Sequence, residues 1–340
     1  MDLNRIFMKN ACPTKVGGQA ILEGLMMRGS RAIAVAIRQP DGNIHLTVEP
    51  LKKPGSWKKL PIIRGVVSFV SSLVTGTSIL MYGADVLEKL EEPAKDAEKK
   101  PEGLSKGAVI GTVAVALALV IALFILLPTF LLGLVRKAGL ENVVLLNLLE
   151  GIIRICIFIG YILFARSVPD VRRTFEYHGA EHKTIHCYEN GLELTPENAQ
   201  SFYTLHPRCG TSFMMFVMVI SLLVFSLFGW PGLFARIITR LLLIPVVAGL
   251  SYELLQWTGR HDNAIVKALS MPGILLQKLT TCEPDLKELE VAIAAMNAVL
   301  PSHMNEDVPV DYWVGVQLAD GTLVKNEEET ARFIEEKNKK

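Results

Sequence analysis

Long uncharged apolar runs constrain this chain more than any other feature. Residues 107–135 contain no charged side chain, and residues 142–165 contain only Glu150 and Arg154, which are four apart and can neutralise each other. Residues 210–235 and 237–252 form two further runs. About 20 apolar residues in a helix cross the hydrocarbon of a bilayer. The sequence therefore predicts a mainly α membrane protein with four transmembrane helices in two hairpins, together with cytoplasmic β-hairpin and helical elements.

The overall composition agrees with a membrane protein. Half of the 340 residues are hydrophobic and the mean hydropathy is positive, which is too apolar for an ordinary soluble protein. The net charge of +1 gives no indication of a nucleic-acid partner. We expect the lipid bilayer as a partner, together with another membrane protein or a second copy of the chain. The first twenty residues lack the apolar core of a signal peptide.

The basic residues indicate how the chain is oriented. Nearly all Lys and Arg lie before residue 107, between 166 and 209, or after 258, whereas the two short loops between paired helices contain few. By the positive-inside rule we expect a multi-pass protein of the cell membrane with cytoplasmic N- and C-termini. The five cysteines are odd in number and scattered, so they predict no disulfide framework, and thiols on that side should stay reduced.

Changes in composition divide the chain into seven parts. They are a cytoplasmic N-terminal segment with a β-hairpin (1–60), an interfacial or re-entrant helix (61–87), a charged linker (88–106), a first transmembrane hairpin (107–165), a histidine-rich cytoplasmic connection (166–209), a second transmembrane hairpin (210–258) and a cytoplasmic C-terminal region (259–340). Residues 65–84 are uncharged but rich in Ser, Thr and Gly, and lysines flank them on both sides. A single crossing would place one lysine cluster outside, so we favour a segment that does not cross.

The N-terminal segment contains a glycine-rich stretch, GGQAILEGLMMRG, at residues 17–29. Four glycines around the isolated charges Glu23 and Arg28 indicate backbone that bends tightly or approaches another group closely. A structural turn with a Glu23–Arg28 ion pair is as well supported as a functional role. Apolar residues alternate along 31–38 and 44–48, on either side of a turn, which predicts a β-hairpin. Residues 312–324 predict a second hairpin before a charged terminal helix.

Three histidines recur at intervals of four in the stretch HGAEHKTIH, residues 178–186. On the helix that we predict over residues 169–190, their rings lie along one stripe. Two imidazoles at i and i+4 are typical of a zinc site. The subset formed by His178, Glu181 and His182 also matches the inverted zincin pattern, in which the glutamate is the general base. The alternative is a solvated helix whose histidines bind nothing.

The stripe is too long for one ion, since its outer rings would stand about 12 Å apart along a helix. The first pair of histidines leaves Glu181 for chemistry, whereas the second pair, which adds His186, would suit a structural site. His206 and Cys209 lie two residues apart and complete a three-histidine, one-cysteine ligand set with the first pair. Four protein ligands would make the site structural, and three would leave a position for water. Cys209 could equally be a buried small residue.

Two more residues on the predicted cytoplasmic side are candidate ligands. His261 could be a fifth ligand or support another one, although it more simply belongs to the cap of a helix that starts after Asn263. Glu253 could reach the site from the membrane edge, but an acid there is more often an interfacial or paired charge. We expect the helix after Asn263 to be broken at Pro272-Gly273, and a soluble helix to follow Asp285.

Four motifs in order, GGQAILEGLMMRG, EYHGAEHKTIHCYE, HPRCGTSF and QWTGRHDN, resemble the YqhQ-like family of bacterial membrane proteins. The resemblance covers residues 16 to 300 and leaves the C-terminal residues outside it. The family is described as metal-dependent enzymes, so the resemblance implies a metal site. It supports as motif positions Glu23, Arg28, His178, Glu181, His182, His186, His206, Cys209 and His261. It implies no particular substrate.

These observations lead to three competing functions. The first is a zinc-dependent hydrolase at the cytoplasmic face of the membrane, with Glu181 as general base and a lipid head group, membrane peptide or small amphiphile as substrate. The second is a non-enzymatic membrane scaffold or membrane-protein biogenesis factor with a structural metal site. Transport is weaker, because the apolar helices contain few polar side chains.

Overall fold

The structure is a computed structural model that describes residues 14, 16–51, 63–91, 106–139, 141–228, 232–261, 263–300 and 310–338. The strands of this part are β1 (Gly17–Ile21), β2 (Gly24–Arg28), β3 (Ala32–Arg38), β4 (Ile44–Pro50), β5 (Trp313–Gln317) and β6 (Leu323–Lys325). The helices are α1 (Ile63–Glu91), α2 (Lys106–Ile121), α3 (Leu127–Lys137), α4 (Val143–Arg166), α5 (Pro169–Glu189), α6 (Pro196–Gln200), α7 (Thr211–Ser226), α8 (Leu233–Thr258), α9 (Ala264–Thr280), α10 (Leu286–Val299) and α11 (Glu327–Asn338); a π turn (Ala122–Leu126) joins α2 to α3.

The strands form one antiparallel sheet in chain order, β1 to β6. Both predicted hairpins are confirmed as β3–β4 and β5–β6. The sheet joins them through β4 and β5, where Thr47 lies opposite Val314. The glycine-rich stretch adds a third hairpin, β1–β2, whose turn places Glu23 at a φ of 52°. The sequence did not predict this larger sheet, because the pairing of β4 with β5 joins segments that lie far apart in the chain.

Helices pack on both faces of the sheet at its N-terminal strands, whereas β6 is exposed. On one face, α5 and α10 pack on side chains that include Leu25, Ala34 and Leu46. On the other face, Ile79 and Val86 of α1 pack on the opposite side chains of β1 to β3. Both faces of β3 are therefore apolar, and its first six residues are all buried.

Proline, asparagine and aspartate residues mark several of the helix ends in the sequence. The predicted helix of the histidine stretch is confirmed as α5, which has Pro169 in its first turn and stops at Asn190. Asp285 caps α10 through a capping box, and Asn263 caps α9. The expected break at Pro272-Gly273 is wrong, because α9 continues through it. At Gly273 this helix packs so closely on Ser212 of α7 that a Cβ would clash.

The molecule is mostly helical, and four described helices are long and apolar enough to cross a membrane. These candidate spans are Ile63–Lys89, Ala114–Lys137, Val143–Arg166 and Ile237–Thr258, and they suggest a membrane protein. The third predicted span, 210–235, is shorter than expected: α7 ends at Ser226, and residues 229–231 of the predicted turn lie outside the described part. Helix α1 is the fourth candidate span instead of α7, because it is long and apolar enough to cross a membrane.

Helix α1 connects the apolar helices to the sheet. Its first turns pack on α8, where Gly65 lies against Gly249 and Arg64 pairs with Glu253. Its later turns pack on β1. The expectation that residues 65–84 do not cross the bilayer stays a prediction.

A close backbone contact at Gly179 of α5 should matter for stability. A Cβ there would lie 2.0 Å from the carbonyl oxygen of Cys282, which is backbone and cannot rotate away. We expect Gly179→Ala to lower the free energy of unfolding by about 1–3 kcal/mol. The measurement is the midpoint of thermal unfolding in detergent micelles.

The matched control is Gly160→Ala in α4, where no described atom lies within 4 Å of the new Cβ. Because alanine favours a helix over glycine, this change should leave the midpoint unchanged or raise it. Equal midpoints for the two variants would contradict the proposed contact.

Candidate metal centre

Helix α5 carries the histidine stripe into the middle of the molecule. It follows the end of α4. One side of α5 packs on the sheet, and another side lies against the chain segment 201–210 that leads into α7. Gln277 of α9 holds this segment in place: its side chain accepts a hydrogen bond from His206 N at 2.8 Å and donates one to His206 O at 2.9 Å. The segment therefore lies in a fixed position alongside the histidines.

Three potential ligands converge in a first group, formed by His178, His182 and Cys209. One ligand atom from each lies within 4.8 Å of the other two. His178 Nε2 is 3.2 Å from Cys209 Sγ, and the two imidazole rings have centroids 4.5 Å apart. His182 and Cys209 are buried, whereas His178 is partly exposed.

The backbone fixes which ring nitrogens face this first group. His178 Nδ1 donates to the carbonyl of Thr280 at 2.8 Å, and His182 Nδ1 donates to the carbonyl of Thr204 at 2.5 Å. Because a carbonyl only accepts, both Nδ1 atoms carry hydrogen, and each Nε2 of a neutral ring has a free lone pair. His182 Nε2 is buried with no hydrogen-bond partner among the described residues. Metal-binding histidines usually have this arrangement.

Electrostatics favour a thiolate at Cys209. Burial alone would raise the pKa of this thiol, but the neighbouring imidazoles hold it well below its usual range. Burial alone would lower the pKa of His178, whereas the Cys209 thiolate raises it to about 9. The amide of Thr211, at the start of α7, also donates to the sulfur at 3.4 Å. Two imidazoles and a thiolate fit zinc among the common metals.

Glu181 lies beside this first group without belonging to the convergent set. Its buried carboxylate accepts a hydrogen bond from the amide of Gly18 in β1 at 2.7 Å. Burial raises the pKa of Glu181, and the charges of His178 and His182 oppose that rise. A Cβ at Gly18 would lie 2.4 Å from Met26 O and 3.0 Å from the Glu181 carboxyl carbon, so only glycine fits. This close approach is the one that the glycine-rich stretch indicated.

A second group consists of His186, Glu189 and His206, all buried. Its tautomers differ from those of the first group. His186 Nε2 donates to the carbonyl of Leu205 at 2.9 Å, and His206 Nδ1 accepts from the amide of Arg208 at 3.3 Å. The Nε2 of a neutral His206 therefore carries hydrogen and lies 3.6 Å from Glu189 Oε2. A metal could bind there only by displacing this proton.

The charges of the second group are already paired. Glu189 forms an ion pair with Arg208 and accepts a hydrogen bond from the amide of Thr14 at 2.9 Å. Burial alone would raise the pKa of Glu189, but these contacts and His206 lower it to about 2. Burial lowers the pKa of His206 to about 3, and the neighbouring His186 and His182 add to this effect. The structure thus places His206 beside the paired Glu189 and Arg208 rather than with the convergent ligands, although His206 Nε2 itself has no hydrogen-bond partner among the described residues.

The remaining candidate ligands lie apart from both groups. His261 is exposed and contacts Trp257, and Glu253 pairs with Arg64. Arg28 is exposed at the end of β2.

Glu23 forms an ion pair with Arg173 of α5, which also contacts Glu288 of α10 at 3.2 Å. This network ties the β1–β2 turn to two helices. The described contacts of Glu23 therefore differ from the Glu23–Arg28 pair that the glycine-rich stretch suggested.

Sequence reasoning indicated a close approach in the glycine-rich stretch without assigning it to Gly18, and it missed Glu189 and the backbone carbonyls that orient the two ligand histidines. Glu189 had a visible signal, because it lies three residues after His186 and so shares its helix face. The carbonyls had none, since they come from segments distant in sequence.

The chain belongs to the family described as "Protein of unknown function (DUF1385)", whose model matches residues 60–302. It is 38% identical over 304 residues to a protein of Bacillus subtilis (strain 168) named "Uncharacterized protein YqhQ". That match covers 86% of this chain and 94% of the relative. The resemblance to a YqhQ-like family is therefore confirmed, and neither name describes an activity. No solved structure matches the chain.

The pKa of His206 gives a pH prediction for chelator-treated protein. In the unfolded chain this ring binds a proton near pH 6.5, whereas in the folded protein it stays neutral down to about pH 3. The unfolded state therefore binds more protons as the pH falls from 7 to 5, and the folded state loses stability. We expect the midpoint of thermal unfolding to fall over this range, and to fall less in His206→Gln.

Between pH 7 and pH 5 Glu189 stays ionised, because its pKa is about 2, so it does not contribute to the fall. His261→Gln changes an exposed ring and is the matched control, for which we expect the wild-type fall. An identical pH dependence in His206→Gln and wild type would contradict the buried neutral histidine.

Proposed function

We propose that the protein is a metal-dependent hydrolase of the cell membrane that works at the cytoplasmic face. The observation that supports this most is the convergence of two imidazoles, whose Nδ1 atoms are already held by backbone carbonyls, and a thiolate beside a buried carboxylate. Zinc bound by His178, His182 and Cys209 would supply Lewis acidity that lowers the pKa of water towards about 7. Three protein ligands would leave one position for that water.

Glu181 is the general base of this proposal. Its raised pKa brings the carboxylate closer to the range in which it can accept a proton and later release it at neutral pH. The hydrogen bond from Gly18 fixes one carboxylate oxygen and leaves the other for the proton. His178 is the partly exposed member of the ligand set, so a substrate would approach from its side.

The proposed topology places this site at the membrane surface. We infer two helical hairpins that cross the bilayer, with both chain termini and the sheet in the cytoplasm. Helix α5 directly follows α4, and Cys209 directly precedes α7, so the site lies at the ends of apolar helices. Many large apolar side chains of these helices are exposed, including Phe130 (64%), Phe164 (71%) and Leu242 (71%), which suits contact with lipid. A lipid head group, a membrane peptide or a small amphiphile would reach such a site.

The burial of the site supports a second candidate, a membrane scaffold or biogenesis factor with a structural metal. His182 is 1% exposed and Cys209 8%, and this is typical of a closed structural site. In that case a fourth protein ligand fills the remaining position, and partner proteins dock on the cytoplasmic sheet.

Single substitutions separate these roles. We expect Glu181→Gln to keep zinc and to lower hydrolysis by about 10²–10⁴-fold, because it removes only the base. His182→Ala should lose both zinc and hydrolysis. His206→Ala should keep zinc, since its ring lies outside the convergent set. The measurements are zinc per chain by mass spectrometry and hydrolysis of p-nitrophenyl acetate and bis(p-nitrophenyl) phosphate.

His261→Gln, which changes an exposed histidine, is the control for both measurements. Unchanged zinc in His182→Ala would contradict the ligand assignment. Wild-type protein that binds zinc but cleaves neither probe would support the scaffold instead.

A further inference from the structure

Helix α9 has apolar side chains on the outside of the molecule and polar side chains on the inside. Ile265, Leu269 and Leu275 are 64%, 39% and 51% exposed. Gln277 and Thr280 are buried. In this helix, which the structure describes throughout, the other exposed residues are Ala264, Ala268 and Lys278. A helix whose outer face meets water has the opposite distribution, so the outer face of α9 suits contact with lipid.

The exposed apolar residues form one continuous stripe along α9. At about 100° per residue, the stripe that runs from Ala264 through Leu275, Ala268 and Ile265 to Leu269 spans an arc of about 140°. Lys278 lies about 40° beyond one edge of this arc. A lysine at the edge can extend its ammonium group to the lipid head groups while the stripe contacts acyl chains. This pattern is typical of a helix that lies in the membrane interface.

Three connections relate the start, the middle and the end of α9 to the ends of apolar helices. Its start follows the end of α8 after residues 259–263. Its middle packs at Gly273 on Ser212, which lies in the first turn of α7. Near its end, the carbonyl of Lys278 accepts a hydrogen bond at 2.8 Å from Arg166, the last residue of α4.

These connections indicate how α9 is oriented. In the proposed topology, the end of α4, the start of α7 and the end of α8 all lie at the cytoplasmic face. A helix of 17 residues is about 25 Å long. Because its start, middle and end all lie at that face, α9 extends along the membrane surface rather than into the hydrocarbon.

The inner side of α9 holds two parts of the candidate metal centre. The side chain of Gln277 forms hydrogen bonds of 2.8 and 2.9 Å with the backbone of His206, three residues before Cys209. The carbonyl of Thr280 accepts a hydrogen bond from His178 Nδ1 at 2.8 Å. A contact that holds α9 in place therefore also holds the segment 201–210 and the His178 ring.

We propose that α9 is an interfacial helix that binds the cytoplasmic leaflet through Ile265, Leu269 and Leu275, and that this contact keeps the metal centre assembled. The inference rests on the membrane topology of the proposed function but not on hydrolysis, and it applies to the scaffold as well. Lipid is thus a regulator of the site, because the segment 201–210 opens less often when α9 is inserted.

The first measurement locates the outer face of α9, with the full chain at one copy per nanodisc in equal parts of phosphatidylcholine and phosphatidylglycerol. We expect a membrane-impermeant maleimide to label Leu275→Cys about tenfold or more slowly than Leu323→Cys, because acyl chains cover the first position. Leu323 of β6 is the matched control, since it is a leucine of similar exposure (43%) on the sheet. Peptide mass spectrometry separates the introduced thiols from the native ones. Equal labelling rates would place this face in water and overturn the proposal.

The second measurement tests the link to the metal centre by hydrogen exchange of chelator-treated protein in the same nanodiscs. Leu275→Gln should raise the exchange rate of the amides of residues 201–210 by about fivefold, because it weakens the lipid contact that opposes opening of α9. Leu269→Gln should have the same effect, and Leu323→Gln should have none. Unchanged exchange in both α9 variants would overturn the link. Neither measurement uses zinc or turnover, so its failure is distinct from failure of the hydrolase proposal.

Discussion

Two hydrogen bonds from imidazole to backbone carbonyls determine the chemistry of the candidate metal centre. The carbonyls of Thr280 and Thr204 can only accept, so each ligand histidine carries hydrogen on Nδ1 and Nε2 is the atom that can bind a metal. At His178 a metal would displace the Nε2 proton that the Cys209 thiolate stabilises. Without these bonds the rings could rotate and exchange tautomers, and the stripe on α5 would be only a row of polar side chains. With them, His182 Nε2 is left buried and without a partner, which is costly unless a ligand binds.

The groups that build the centre come from both halves of the molecule. Thr280 ends α9, Cys209 precedes α7, and both belong to the apolar helices, whereas Gly18 of β1 comes from the sheet and holds Glu181. The helices and the segment before α7 therefore assemble the ligands, and docking of the sheet adds the hydrogen bond that holds Glu181 beside them. Helix α1 supports this docking, because it packs on α8 at one end and on the sheet at the other. The hydrogen bond from Gly18 also holds the buried Glu181 carboxylate, whose pKa is raised, next to the imidazoles of His178 and His182.

The periodicity of the sequence predicted many of the helices and strands but not how they pack together. The spacing of His178 and His182 predicted α5 and its stripe, and the apolar runs predicted most of the long helices. Periodicity could not show that His206 joins Glu189, because that depends on how Gln277 holds a loop from a distant helix. It also missed the full sheet, because the glycine-rich stretch was not recognised as the hairpin β1–β2 and because β4 pairs with β5, which lies far along the chain. Glycine was the informative exception: the glycine-rich stretch indicated a close approach, which the structure shows at Gly18.

The central claim is that two imidazoles and one thiolate bind a metal and leave a position open. X-ray absorption of the zinc-loaded full chain tests it most directly. We predict one sulfur ligand at about 2.3 Å and three nitrogen or oxygen ligands at about 2.0–2.1 Å, of which the outer-shell scattering should identify two as imidazoles. The same shell should persist in Glu181→Gln, because the remaining ligand is water rather than the carboxylate. A zinc shell without sulfur, or one with three imidazoles and one sulfur, would contradict the account.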